Sequence, residues 1–398
     1  MSESVPDMSK RNHALDASRG IALMLVMWYH AGAMPAAERA WVGPLAYVHD
    51  AVLRVGWVGM DCFFVMSGFL VGGLLFSAYK KHGRLDVGRF YLRRGFKIWP
   101  TFYVLWVFTL VFGEAIGRPV TAARVAAEGL LVQNFIPGMW VHTWSLGLEE
   151  QFYILLPLIL LGAMRLSRGR GDAFAVMPAV YAVVLAGVLA ARVVTVARLP
   201  GWGLYTHYTP THLRFDELML GVLCAYWYHF RRESLRRWVA TRRWVFWVVG
   251  AAGLSVPVWS GLQSTFVVVA GYTLTAVGFA AVMMLMVEPT GGRAEAGRPS
   301  WWVRGCAFVG IHSYSIYVFH QPVRWTGGAV IRWAAGREAT WWEYAALVFP
   351  VAIVVGIVLA RMIEMPLLVW RDRVAPSRSG GILGSGEPLS SHRPTARD

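Results

Sequence analysis

Apolar stretches about as long as a lipid bilayer is thick recur along nearly the whole chain. A hydrocarbon layer of about 30 Å takes roughly 20 helical residues. Backbone in lipid must satisfy its own hydrogen bonds, which makes helices the spanning form for stretches of this length. Ten stretches fit, near 17–35, 52–76, 98–117, 144–164, 174–197, 213–230, 244–261, 265–288, 305–325 and 343–365. A shorter one, near 123–136, reads as an interfacial or re-entrant piece. Hydrophobic residues make up 56% of the 398, too many for a string of soluble domains. The expected fold is an all-α integral membrane domain, with about ten transmembrane helices around a polar cavity.

The charges are distributed as a membrane requires. A formal net charge of +15 would point to nucleic acid in a soluble protein. Here the basic residues alternate with the spans instead. Placing the N-terminus inside puts 27 of the 38 Lys and Arg on the cytoplasmic side, including Lys80 to Lys97 and Arg231 to Arg243. Both termini are therefore expected in the cytoplasm, with the chain crossing the cell (cytoplasmic or inner) membrane many times and no nucleic acid as partner. Residues 1–16 lack the basic start, short apolar core and small-residue site of a removable signal, and read as a cytoplasmic segment. Residues 17–373 form the membrane domain, and 374–398 read as a polar, disordered cytoplasmic tail. Many of the twenty tryptophans fall near the proposed interfaces, as an anchoring belt does. Cys62, Cys224 and Cys306 show no ligand spacing, so packing roles and no metal are expected.

Ionisable groups inside the spans carry the functional signal, because such groups are costly in lipid. Arg19 and His30 are eleven residues apart, which puts them on one helix face about 16 Å apart, with His30 near mid-membrane. Asp61 and Ser67 lie on the second stretch; Ser145 and Glu149 are at i and i+4 on the fourth, with Tyr153 one turn further. Arg214, Asp216 and Glu217 open the sixth; Ser313, Tyr317 and His320 share a stripe on the ninth, and Glu364 ends the tenth. Each alone reads equally as a helix–helix contact. Together they are expected to line one cavity, with Asp61, Ser67, Ser145, Asp216 and His320 in its wall. An imidazole beside carboxylates and hydroxyls suits general acid–base work on a hydroxyl, with Glu149 or Asp61 near His30. Arg94 and Lys97 precede the third stretch on one face and, with Arg19, make a cationic mouth that would suit donor phosphates. The positive-inside pattern explains the same charges without a ligand, and a transporter would show much the same set.

Seven elements in order resemble acyltransferase family 3, the integral-membrane O-acyltransferases. They are the R-x10-H of Arg19 and His30, GMDCFFVMSGFL, RRGFKIWP, HTWSLGLEEQFY, RFDELMLG, GIHSYSIYVFH and the closing EMP. The resemblance covers about residues 14–370. It implies transfer of an acyl group, commonly acetyl, from acyl-CoA to a hydroxyl of a glycan or glycosylated small molecule. The donor, acetyl-CoA above all, is then a co-substrate, and no cofactor is permanently bound. By the same resemblance His30 is the essential histidine and general base, and Glu149 is the glutamate that orients the ring or balances its charge. Arg19, Arg94 and Lys97 are the implied acyl-CoA-binding residues. Lys97 stands where the family usually has arginine, keeping the charge but losing the two-pronged guanidinium. The rival reading is a proton-coupled transporter or flippase for a glycan or small metabolite, disfavoured because no inverted repeat is visible.

Overall fold

The computed structural model describes residues 12–118, 120–288 and 299–376. Residues 1–11, most of the expected N-terminal segment, and 377–398, most of the expected tail, lie outside the described residues, as do Arg293 and Arg298 of one inner loop. Within the described residues the secondary structure is helical throughout, with no strand.

The helices in chain order are α1 His13–Tyr29, α2 Ala36–Val42, α3 Leu45–Val55, α4 Val58–His82, α5 Val87–Phe112 and α6 Ala122–Gly129. Then follow α7 Trp144–Leu166, α8 Met177–Arg198, α9 Phe215–Phe230, α10 Arg232–Thr241, α11 Arg243–Trp259 and α12 Val267–Val287. The last three are α13 Trp301–Ile311, α14 Ser313–Ala335 and α15 Trp341–Val374. Each apolar stretch in the sequence carries helix. Six helices (α4, α5, α7, α8, α12 and α15, the α7 span counted from Val141) are long and apolar enough to cross a membrane. Their outward faces are apolar: Val107, Leu110 and Val111 on α5, Ile154 and Leu158 on α7, and Val351, Val354 and Val358 on α15 are exposed. Such rows have no soluble use and face lipid naturally.

Two of the expected spans take a different form. The first stretch, expected to run to 35, is helical only to Tyr29; His30 caps the helix, and a turn through Gly32 (φ +78°) leads to α2. Seventeen residues span about 26 Å, so α1 is short for a full crossing. The ninth stretch breaks at His312 into α13 and α14 instead of continuing from 305 to 325. Irregular backbone of this kind is tolerated at membrane depth only where protein covers it. α6 is the short element expected near 123–136. The loop after it turns at Leu131 (φ +58°) and is held by Glu128, whose carboxylate takes the Met139 N–H at 2.9 Å and the Thr143 hydroxyl at 2.5 Å.

Packing between apolar helices in lipid gains little from the hydrophobic effect and relies on close approach. Glycines supply it at three crossings. A Cβ on Gly68 of α4 would run into the carbonyl of Leu218 on α9, and one on Gly221 of α9 into that of Val65. Gly20 of α1 meets the backbone of α13 at Cys306 and Gly310, and Gly253 of α11 meets Gly278 of α12. We expect Gly68→Ala and Gly253→Ala to lower the thermal midpoint of the purified protein in detergent by several degrees. Gly162→Ala and Gly187→Ala, where a Cβ meets nothing within 4 Å, should be neutral or stabilise by up to about 1 kcal/mol.

Candidate active site

A cavity of about 220 Å³ opens among α1, α4, α5, α7 and α14. Its cationic side is Arg19, Arg94 and Lys97, which reach it from α1 and α5. Three residues one turn apart on α7, Ser145, Glu149 and Tyr153, line another side, and Ser67 of α4 joins them. The Tyr153 hydroxyl donates to Glu149 Oε2 at 2.6 Å, and Ser67 Oγ lies 2.5 Å from that hydroxyl and 3.4 Å from the same carboxylate oxygen. Arg94 stands over the Tyr153 ring, 5.4 Å from its centre. Lys97 pairs with Glu364 of α15, which also accepts the Ser315 hydroxyl at 2.7 Å. Glu364 is thereby placed at the edge of the basic group.

A second cavity of the same size adjoins the first, sharing Arg94 and Lys97 and adding Arg84, Arg89, Arg93 and Arg371. The two make a continuous basic approach to the hydroxyl and carboxylate cluster. Among the described residues no group of three or more His, Cys, Asp or Glu has the arrangement of a metal site.

Beyond the inner end of the first cavity lies a cluster of imidazoles. Tyr317 of α14 forms the partition: its hydroxyl bonds Ser145 Oγ at 2.8 Å and donates to the backbone carbonyl of His142. On the other side His30 Nδ1 is 2.9 Å from His320 Nε2, and His320 Nδ1 is 2.5 Å from the Tyr317 carbonyl oxygen. His142 Nε2 sits 3.1 Å from the carbonyl of Val318, with its ring centre 4.8 Å from that of His320. The local sequence HQP explains this. Pro322 lies inside α14 and has no N–H, so the carbonyl four residues earlier, that of Val318, loses its helical partner and takes the His142 ring instead.

The carboxylate expected beside His30 is elsewhere. Glu149 is engaged by Tyr153 and Ser67, and the partner of His30 is His320. His320 lies behind Tyr317 and does not line the cavity with Ser67 and Ser145. Asp61 and Asp216 are not cavity residues either. Arg214 pairs with Asp61 and, at 2.5 Å, with Glu217, while Arg192 pairs with Asp216 at 2.8 Å. All five side chains are essentially inaccessible. Thr273 of α12 completes the net, accepting from Arg192 at 2.7 Å and donating to Asp216 at 2.5 Å. The rings of Tyr272 and Tyr208 face the Arg214 guanidinium at 4.2 and 4.6 Å. The sequence places acids and bases near span ends, but it does not say that Arg192, buried within the largely exposed α8, reaches across to them. Nor does the sequence single out His142. It lies just ahead of α7 in the HTWSLGLEEQFY stretch, and its proximity to residues 30 and 320 is purely tertiary.

The family model described as "Acyltransferase domain", of acyltransferase family 3, matches residues 12–361. The chain belongs to acyltransferase family 3. Among curated relatives, YrhL of Bacillus subtilis (strain 168) is 26% identical over 291 residues, covering 67% of this chain and 44% of the relative. The O-acetyltransferase OatA of Staphylococcus aureus is 22% identical over 337 residues, 78% of this chain and 50% of the relative. The peptidoglycan O-acetyltransferase OatA of Listeria monocytogenes is 23% identical over 331 residues, 78% and 49%. The chain thus spans about half the length of the curated relatives it matches. No solved structure matches it. The stretches that carry the resemblance also carry the cavity and imidazole residues: Arg19, His30, Arg94 and Lys97 lie in R-x10-H and RRGFKIWP, and Ser145, Glu149 and Tyr153 in WSLGLEEQFY.

The two carboxylate groups should respond differently to mutation. Arg214→Met leaves Asp61 and Glu217 buried without that cation, which costs about 3–5 kcal/mol. It should remove most folded protein in a detergent size-exclusion assay. Glu149→Gln keeps its hydrogen bonds with Ser67 and Tyr153 and should elute and melt as the parent does.

Proposed function

We propose that the chain is a membrane-embedded O-acyltransferase moving an acyl group, acetyl in the first instance, from acyl-CoA to a hydroxyl of a glycan or glycosylated metabolite. It would sit in the cell membrane with about ten crossings and both termini in the cytoplasm. The observation that carries this reading is the pair of joined cavities. Seven cations line a passage that ends on Ser67, Tyr153, Glu149 and Ser145, with His30 one tyrosine beyond. A nucleotide thioester has this polarity: phosphates at one end, an uncharged arm, and a reactive carbonyl at the tip.

Arg19, Arg94 and Lys97 hold the donor's phosphates, with Arg84, Arg89, Arg93 and Arg371 of the adjoining cavity extending the basic surface. His30 removes the proton of an acceptor hydroxyl from beyond Tyr317, whose side chain must swing aside for the acceptor oxygen to attack the thioester carbonyl; the carbon–sulfur bond breaks and the proton goes to the departing thiolate. Glu149, held by Tyr153 and Ser67, orients the hydroxyl cluster facing the thioester. Its place in the cavity sets it apart from the His–carboxylate pairs of other acyl-transfer enzymes. The acceptor reading draws on the relatives named as peptidoglycan O-acetyltransferases, with a hydroxyl of a cell-wall sugar as the first candidate.

The test is release of free thiol from acetyl-CoA by the full chain in detergent, with peptidoglycan oligosaccharides and glycosylated macrolides as acceptors. Acceptor-dependent release is expected, falling by a factor of roughly 10² to 10⁴ in His30→Ala. Arg94→Gln should raise KM for acetyl-CoA about tenfold or more, since a charge-assisted contact is worth about 1.5–3 kcal/mol. No release, together with proton-linked glycan uptake in vesicles, would replace this reading by a transporter.

A further inference from the structure

Among the described residues no carboxylate bonds His30, and both nitrogens of its partner His320 are accounted for. The Tyr317 carbonyl oxygen can only accept, so His320 Nδ1, 2.5 Å away, carries a hydrogen. In the neutral ring His320 Nε2 is then a bare acceptor. The 2.9 Å bond to His30 Nδ1 requires the hydrogen to sit on His30. That leaves His30 Nε2 with a free lone pair. His30 is half-buried, whereas His320 is fully inaccessible, so the two rings differ in which of them can meet a second substrate. The ring centres lie 5.0 Å apart.

We propose that His320 is the positioning residue that fixes the tautomer of His30, through a backbone-anchored chain from the Tyr317 carbonyl to His320 to His30, so that Nε2 of His30 is the basic atom. The proposal rests on the reading of His30 as general base. A neutral imidazole takes the place that a carboxylate holds in other histidine-dependent acyl transfer, and orients the base without bringing a charge into the low-dielectric interior. The anchoring carbonyl belongs to α14, one residue before the Val318 carbonyl that Pro322 leaves free and that holds His142. Tyr317 therefore contributes at both ends: its hydroxyl closes the donor cavity against Ser145, and its carbonyl sets the proton on the base.

The test pairs kinetics with a direct view of the ring. His320→Phe fills the space but accepts no hydrogen bond, and should lower kcat for acetyl transfer to a peptidoglycan oligosaccharide by roughly 10²-fold, leaving KM for acetyl-CoA within about twofold. In His320→Gln the amide oxygen can accept from His30 Nδ1–H, so kcat should recover to within about tenfold of the parent. A purely structural role for His320 would show no such selective rescue. Independently of turnover, nitrogen-15 NMR of histidine-labelled protein, with His30 assigned through His30→Ala, should show the hydrogen on His30 Nδ1 in the parent and on Nε2 or in exchange in His320→Phe. A hydrogen on His30 Nε2 in the parent overturns the proposal, as does full kcat in a folded His320→Phe protein while His30→Ala is inactive. Full activity in His30→Ala would instead overturn the base reading.

Discussion

Two arginines with no accessible surface, Arg192 and Arg214, hold the centre of this membrane domain together. Between them they bind Asp61, Asp216 and Glu217, and so join α4, α8, α9 and α12 at one point. In lipid each of these charges alone would be prohibitive. Paired, hydrogen-bonded to Thr273 and to the Leu213 carbonyl, and faced by the rings of Tyr208 and Tyr272, they become a register pin. Apolar helices in a bilayer can slide and rotate at little cost. A network whose ion pairs close in only one arrangement removes that freedom, with the glycine crossings setting how near the helices come.

With α4 fixed, the rest of the site follows. Ser67 is six residues along α4 from Asp61, so the contact that pins Asp61 also sets Ser67 against Tyr153 and Glu149. α7 presents Ser145, Glu149 and Tyr153 in one row, and α14 closes the row with Tyr317. The division of labour is physical: cations gather where phosphates would arrive, hydroxyls and one carboxylate stand where a thioester would end, and three imidazoles lie beyond the tyrosine. Pro322 matters to that last group, because a helix with all its carbonyls occupied would have none free for His142.

Much of this was legible in the chain. The ten apolar stretches all carry helix, since hydropathy over 20 residues is a local property. Arg94 and Lys97 share one face of α5, and Ser145 and Glu149 one face of α7, because i, i+3 and i+4 spacing sets a helix face before any packing is known; Arg19 and Ser67 join them only through the packing of α1 and α4. Partner choice was not legible. A titratable residue in a span is costly whether it serves chemistry or packing, so Asp61 and Asp216 looked the same in sequence as Glu149. Arg192 had no neighbouring signal at all, lying in a stretch of Ala and Val.

The sequence by itself determined a helical membrane domain, the family to which it belongs and the residue types at its heart, because these depend on composition, spacing and short motifs. The tertiary structure decided that Arg192 and Arg214 neutralise Asp61 and Asp216, that Glu149 belongs to the hydroxyl cluster, and that His30 is held by His320. Those outcomes depend on which faces meet across helices separated by up to 290 residues in the chain. A one-dimensional pattern carries no information about that distance; the pairing is selected by the cost of burying each of these charges and rings without a partner.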